Sequence, residues 1–307
     1  MLALGTFDPL SRYSFPRERL APPSDRAPPR ICYIPGLDGT SGSPFVQWPA
    51  LGEAGYEIRV QDVRSRPVPA SFDATVDQVI DLLRDGDDHE QTRGRVTLLM
   101  GESYGAVVAA AAAVREPSLV SGLILVNPAT AFSQKPALQR EAALLRAVPA
   151  ALFVPASFAI LGRKTFDLGF LATAVKDILI DRKLDALRES DPALAGYYDA
   201  ALAELTAEVS QLPPRDFMCS RLEHLADGCE QVEAAWQALE PPTLVIAGTA
   251  DQLLESDVEA ARLLRVLGPT RCATHLVDGA GHAGTLDQRC DLAKLLAKWT
   301  AQAGIQI

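Results

Sequence analysis

Three side chains in this sequence have the types and order needed for acyl transfer through a covalent intermediate: Ser103, Asp251 and His282. Ser103 is the centre of Gly101-Glu102-Ser103-Tyr104-Gly105, with an apolar run (96–100) before it and an alanine-rich run (106–114) after it. A serine flanked two residues away by glycines, between a buried strand and a buried helix, has the pattern of a nucleophile elbow. The glycines give the turn room where a side chain would collide with the neighbouring strand and helix. A serine hydroxyl is a weak nucleophile until a base takes its proton, and an acid must fix that base in the right tautomer. In such enzymes the acid and the histidine follow the serine in chain order, each on the loop after a late strand. "GTADQLL" after the apolar run 243–248 offers Asp251, and "DGAGHAGTLD" after 273–277 offers His282. Glu255, Asp257 and Asp278 are acids too, but stand wrongly relative to those strand ends.

The reaction also needs donors for a developing oxyanion. The backbone N–H of Tyr104 is one, at the start of a helix whose positive end favours negative charge. The other belongs in the loop "PGLDGTSGS" (35–43), where Leu37 follows Pro35-Gly36. Asp38 is an acid close to that anion. It either caps the loop by accepting local amides or contacts substrate.

Apolar runs at 31–36, 56–62, 96–101, 123–128, 242–248 and 273–279 predict strands, alternating with helical spacing at 73–84, 104–115, 256–267 and 285–300. Strands alternating with helices predict a mostly parallel sheet with helices on both faces. The alternation breaks after Pro128, following the strand that ends near Asn127: residues 133–240 read as helices alone, including 137–147 and 197–211. The expected organisation is an irregular N-terminal arm over 1–30, a core of 31–132 and 241–307, and a helical cap of 133–240 inserted into it. The cap's excess of Leu, Ala, Val and Phe suits an acyl tunnel, with 151–161 as a wall, or a plain helical subdomain; the tunnel is the favoured expectation.

Bulk properties narrow the class. Of 307 residues, 48% are hydrophobic and 22% charged, and the net charge of −10 argues against nucleic acid as a partner. Five scattered cysteines without CxxC spacing predict reduced thiols in a soluble intracellular protein, and four histidines leave little for a metal centre. No cofactor is implied. Residues 1–30 hold six prolines and five arginines, but Asp8, Glu18 and Asp25 favour a surface arm over a transit peptide.

Five stretches, "IPGLDGT" (34–40), "GESYGAVVA" (101–109), "LVNPATAFS" (125–133), "PPTLVIAGTADQLLES" (241–256) and "GAGHAGTLD" (279–287), together resemble α/β-hydrolases of the phytyl ester synthase type, the plastid acyltransferase-like esterase/lipase group. The resemblance implies an α/β-hydrolase fold and transfer or cleavage of lipid acyl esters. Water, phytol or diacylglycerol would be the acceptor, with peripheral membrane contact through the cap and a plastid location in a plant or alga. Thioesterase or small-molecule carboxylesterase activity is the alternative, and a non-catalytic binding protein is disfavoured because every triad member is present. Many plant members carry a second, glycerolipid-acyltransferase-like domain with an Asn-His-x4-Asp motif. The sequence reaches Ile307 without it, which tilts the expectation toward hydrolysis; the His-x4-Asp spacing at 282–287 is read as coincidence.

Overall fold

The computed structural model describes residues 5–21, 27–40, 44–85, 94–157, 159, 183–210, 215–282, 284–286 and 289–307. Seven strands form one sheet: β1 (Thr6–Phe7), β2 (Arg30–Ile34), β3 (Glu57–Gln61), β4 (Thr97–Glu102), β5 (Gly122–Val126), β6 (Thr243–Gly248) and β7 (Cys272–Val277). Their spatial order is β1-β3-β2-β4-β5-β6-β7, with every neighbouring pair parallel except β1 and β3. Every residue of β2, β4, β5 and β6 is buried, as expected for strands covered on both faces, whereas edge strand β7 alternates.

Strand alternation sorts the core into two layers. Cys32, Ile34, Leu99, Leu123, Leu125 and Val245 pack with α3 (Phe72–Arg84), α4 (Tyr104–Arg115), α9 (Arg215–Ala235) and α10 (Ser256–Leu267). Ile31, Tyr33, Leu98, Met100, Ile124 and Leu244 face the opposite way, toward α2 (Trp48–Glu53) and α11 (Leu292–Ala303). Helix α4 is buried from Tyr104 to Ala113, and its alanines keep it close to the sheet.

Sequence and structure part company in two places. The N-terminal arm is not wholly irregular. Thr6 and Phe7 extend the sheet antiparallel to β3, α1 (Pro9–Arg12) follows, and Leu10, Tyr13 and Phe15 are buried. A two-residue strand leaves no periodicity to read. The last helix begins at Leu292, not near 285: Gln47 takes up the Leu286 carbonyl and the Leu292 amide (both 3.0 Å), so these two groups bond a side chain and not a helix ladder. Asp291 then caps the helix by accepting from the Lys294 amide.

Between β5 and β6 the described residues are helical: α5 (Pro136–Ala147), α6 (Ala150–Ser157), α7 (Lys183–Ser190), α8 (Pro192–Ser210) and α9. These helices divide between two neighbours. On α8, Tyr197 donates to the Phe45 carbonyl (2.9 Å) and meets Tyr13 and Phe15 of the arm edge-on. Helix α9 lies against α3 and α4, with Gly228 in contact with the Phe72 ring, where a Cβ would collide. Of the stretch 151–161, residues 158, 160 and 161 lie outside the described residues, as do 41–43 of the Leu37 loop and Asp287.

Candidate active site

Strand β4 ends one residue before Ser103, whose backbone adopts φ 55° and ψ −115°. That conformation costs about 1–3 kcal/mol for a residue with a side chain and persists only where the surroundings impose it. Here they do so from three sides. The Ser103 amide donates to the Val126 carbonyl (2.9 Å), and its own carbonyl accepts from Ala106 (3.1 Å) and Ala129 (3.2 Å). A Cβ on Gly101 would strike the backbone of Gly105, and one on Gly105 would strike the carbonyls of Ile34 and Pro35. Both flanking positions therefore admit only glycine, and the strained turn points the serine side chain off the end of the sheet.

The other two residues come to it from the ends of β6 and β7. His282 Nε2 lies 3.1 Å from Ser103 Oγ, and His282 Nδ1 lies 2.9 Å from Asp251 Oδ2. This geometry suits the tautomer protonated on Nδ1, leaving Nε2 to accept the serine proton. The Asp251 carboxylate also accepts from the amides of Leu253 (2.9 Å) and Leu254 (3.2 Å) and from the Ser256 hydroxyl. Burial alone would raise the Asp251 pKa, but bonds from His282, Ser256 and Leu254 hold it below the ordinary value. Burial pulls His282 down, yet the Asp251 hydrogen bond and charge, helped by Glu102 and Asp38, leave it raised above 6.5. A base must be neutral to accept a proton, so activity should fall on acidification through that raised pKa. The acid limb of a kcat/KM–pH profile is expected to lie higher than that of an Asp251→Asn variant, in which the partner that raises His282 is gone; an unchanged or upward-moved limb in the variant would contradict the Asp251–His282 pairing.

The loops bearing the acid and the histidine are joined backbone to backbone. Ala250 donates to the Ala280 carbonyl (2.9 Å) and Thr249 to the Val277 carbonyl (3.1 Å), and Gly248 leaves room for the Ala280 carbonyl. Asn127, fully buried with φ 40°, completes the brace. Its amide nitrogen donates to the His282 carbonyl and to Thr285 Oγ1 (2.5 Å), and its oxygen accepts from the Gly248 amide (2.9 Å). One side chain thus ties the ends of β5 and β6 to the histidine loop.

Among the described residues, neither the Leu37 nor the Tyr104 backbone N–H donates to a protein acceptor. The loop carrying Leu37 passes over the serine: a Cβ on Gly36 would sit 3.7 Å from Ser103 Cβ. Asp38 bonds through its carboxylate within its own loop. Its oxygens take the Thr40 amide (3.2 Å) and hydroxyl (2.5 Å), while Arg64 holds its carbonyl (3.0 Å), so it caps its own loop.

Sequence reasoning missed Asn127, Ser256, Glu102 and Arg221. Asn127 appeared only as a strand end; asparagine's tolerance of positive φ is the one local signal there, and the following proline obscures it by favouring extended backbone. Buried Glu102 accepts from the Tyr33 hydroxyl. Arg221, on α9, donates to the carbonyls of Gly36 (2.6 Å) and Pro35 (3.3 Å) and was indistinguishable in sequence from a surface arginine of an amphipathic helix. Among the described residues no group of three or more His, Cys, Asp or Glu side chains converges as metal ligands would, and no helix is long and apolar enough to cross a membrane.

The parallel sheet, the strained elbow after its central strand and the acid and histidine after its last two strands define an α/β-hydrolase. The chain belongs to the serine aminopeptidase S33 family (Hydrolase_4), which it matches over residues 50–289. It is 29% identical over 276 residues to Phytyl ester synthase 1 and 27% identical over 278 residues to Phytyl ester synthase 2, both chloroplastic proteins of Arabidopsis thaliana. Those alignments take in 87% of this chain but only 36% and 37% of the relatives, so the chain spans just over a third of their length. Similar solved structures include MenH from S. aureus (TM-score 0.60, 13% identity, 93% of this chain and 97% of that one). Another is the Paleococcus ferrophilus monoacylglycerol lipase (0.57, 16%, 92% and 97%). At such identities the likeness is one of fold.

Proposed function

We propose that this protein is a serine ester hydrolase or acyltransferase acting on lipid acyl esters, with Ser103 as nucleophile, His282 as general base and acid, and Asp251 as the residue that orients it. The observation that carries the reading is the continuous hydrogen-bonded chain Ser103–His282–Asp251 at the mouth of a strained elbow. His282 Nε2 takes the hydroxyl proton as Ser103 Oγ attacks the acyl carbon, giving a tetrahedral oxyanion held by the Leu37 and Tyr104 amides. Collapse breaks the bond to the alcohol, which leaves with the proton from His282, and the acyl group stays on Ser103. A water molecule or acceptor alcohol, deprotonated by the same histidine, then attacks the acyl-serine and regenerates the free enzyme.

The lipid part of the proposal draws on the phytyl ester synthase relatives and on the helices between β5 and β6. We assign residues 133–240 as a cap that houses the acyl chain. Exposed Leu144 and Leu152, on α5 and α6, support contact of this cap with a lipid surface. The triad is indifferent to chain length, so selectivity must come from apolar burial, worth about 0.8 kcal/mol or roughly fourfold per methylene. Across acetyl, octanoyl and palmitoyl esters of one alcohol, kcat/KM is expected to rise steeply, and added phytol or diacylglycerol to divert product from free acid to the new ester. A profile that is flat or peaks at acetyl would move the protein to the small-ester carboxylesterases.

A further inference from the structure

Arg221 is a buried cation, 4% exposed, beside the reacting centre but outside the triad. A charge taken out of water needs strong compensation, and an apolar residue of similar size often serves stability better. The compensation here is unusual. Among the described residues no carboxylate bonds to Arg221; its Nη2 donates instead to the carbonyls of Gly36 (2.6 Å) and Pro35 (3.3 Å), and its Nε has no partner. The guanidinium carbon stands 4.3 Å from the centre of the Tyr104 ring and 5.0 Å from that of Phe217.

These contacts fall on the peptide group that carries the Leu37 N–H and on the side chain of Tyr104, whose own N–H is the second donor the proposed reaction needs. The Gly36 carbonyl and the Leu37 N–H are opposite ends of one planar trans peptide, so fixing the direction of one fixes the other. A carbonyl held by a cation also makes its amide a stronger donor, since hydrogen bonds in a chain polarise one another. Tyr104, whose N–H is the second donor, is held through its ring by the same guanidinium, and Gly105 packs directly under the Ile34 and Pro35 carbonyls. We propose that Arg221 is a positioning residue of the oxyanion hole: it grips the Gly36 carbonyl and stacks on Tyr104, and so aims the Leu37 and Tyr104 amides at one point above Ser103. One guanidinium nitrogen holds both carbonyls while the flat group covers the Tyr104 ring; a lysine ammonium could reach the carbonyls but has no planar face to stack on the ring.

This inference rests on the reading of Ser103 as nucleophile, and its test separates the two. Wild type, Arg221→Met, Arg221→Lys and Phe217→Leu are compared for thermal unfolding, for kcat and KM on one short ester, and for the Ki of an alkyl boronic acid. The boronic acid forms a tetrahedral anion on the serine and so requires the oxyanion hole. Losing a donor costs about 10²–10³ in turnover, and a misaimed donor somewhat less, so Arg221→Met should lose about 10–100-fold in kcat. Its boronate Ki should rise by a similar factor while KM stays within about threefold. Arg221→Lys should lose about tenfold, and Phe217→Leu, which leaves the carbonyl grip intact, should keep its boronate Ki within about threefold. If Arg221→Met does not fold, the lysine variant decides. Wild-type kcat and Ki in a folded Arg221 variant, or a loss confined to KM with Ki unchanged, overturns the proposal but leaves Ser103 untouched. A wild type that binds no boronate at Ser103 overturns the nucleophile reading instead.

Discussion

Ser103→Ala is expected to lower kcat by about 10⁶ on every ester the wild type accepts, while KM changes little. The whole covalent route passes through Oγ, and no other described hydroxyl stands within hydrogen-bonding distance of His282 Nε2. The variant should fold, because the elbow is held by backbone bonds to Val126, Ala106 and Ala129 and not by the hydroxyl. Alanine at φ 55° bears the same backbone strain as serine there. Steady-state kinetics with far-UV circular dichroism check both halves. A loss smaller than about 10²-fold in a folded variant would mean that another group carries the reaction.

Asp251→Asn is expected to cost about 10⁴ in kcat, for a reason legible in its four partners. The amides of Leu253 and Leu254 both donate to Oδ1, while Ser256 and His282 Nδ1 face Oδ2. An asparagine keeps its oxygen on the two backbone donors and so turns its NH₂ toward the histidine. Nδ1 must then accept, the proton moves to Nε2, and the imidazole presents a donor where it needs a lone pair. Geometry survives while the tautomer is wrong, so stability should change far less than rate. A variant within about tenfold of wild type would show that a different carboxylate orients His282.

How much of this could be read from the chain follows from the range of each interaction. Ser103 was legible because its constraints are local: the apolar strand, the two glycines and the alanine helix lie within some twenty residues. The sheet was legible because fully buried parallel strands leave apolar runs between amphipathic helices. Asp251 and His282 were legible only jointly, as polar residues placed just after two such strands. Asn127 was not, since its partners at Gly248, His282 and Thr285 lie more than a hundred residues away and meet it only at the sheet's end. Arg221 is the extreme case. Its bonds reach back 185 and 186 residues, and in sequence it is one charged position on an amphipathic helix. Asp38 shows the converse, an acid beside the site whose carboxylate bonds stay within two residues.

The central claim is that Ser103 becomes covalently acylated, and one measurement addresses it directly. Wild type and Ser103→Ala are treated with a long-chain alkyl fluorophosphonate, and the adduct is located by intact mass and peptide mapping. The account predicts one adduct per wild-type chain, on the peptide containing Ser103, and none on the variant. An adduct of equal yield on Ser103→Ala, or a wild-type adduct mapped to another residue, would contradict it.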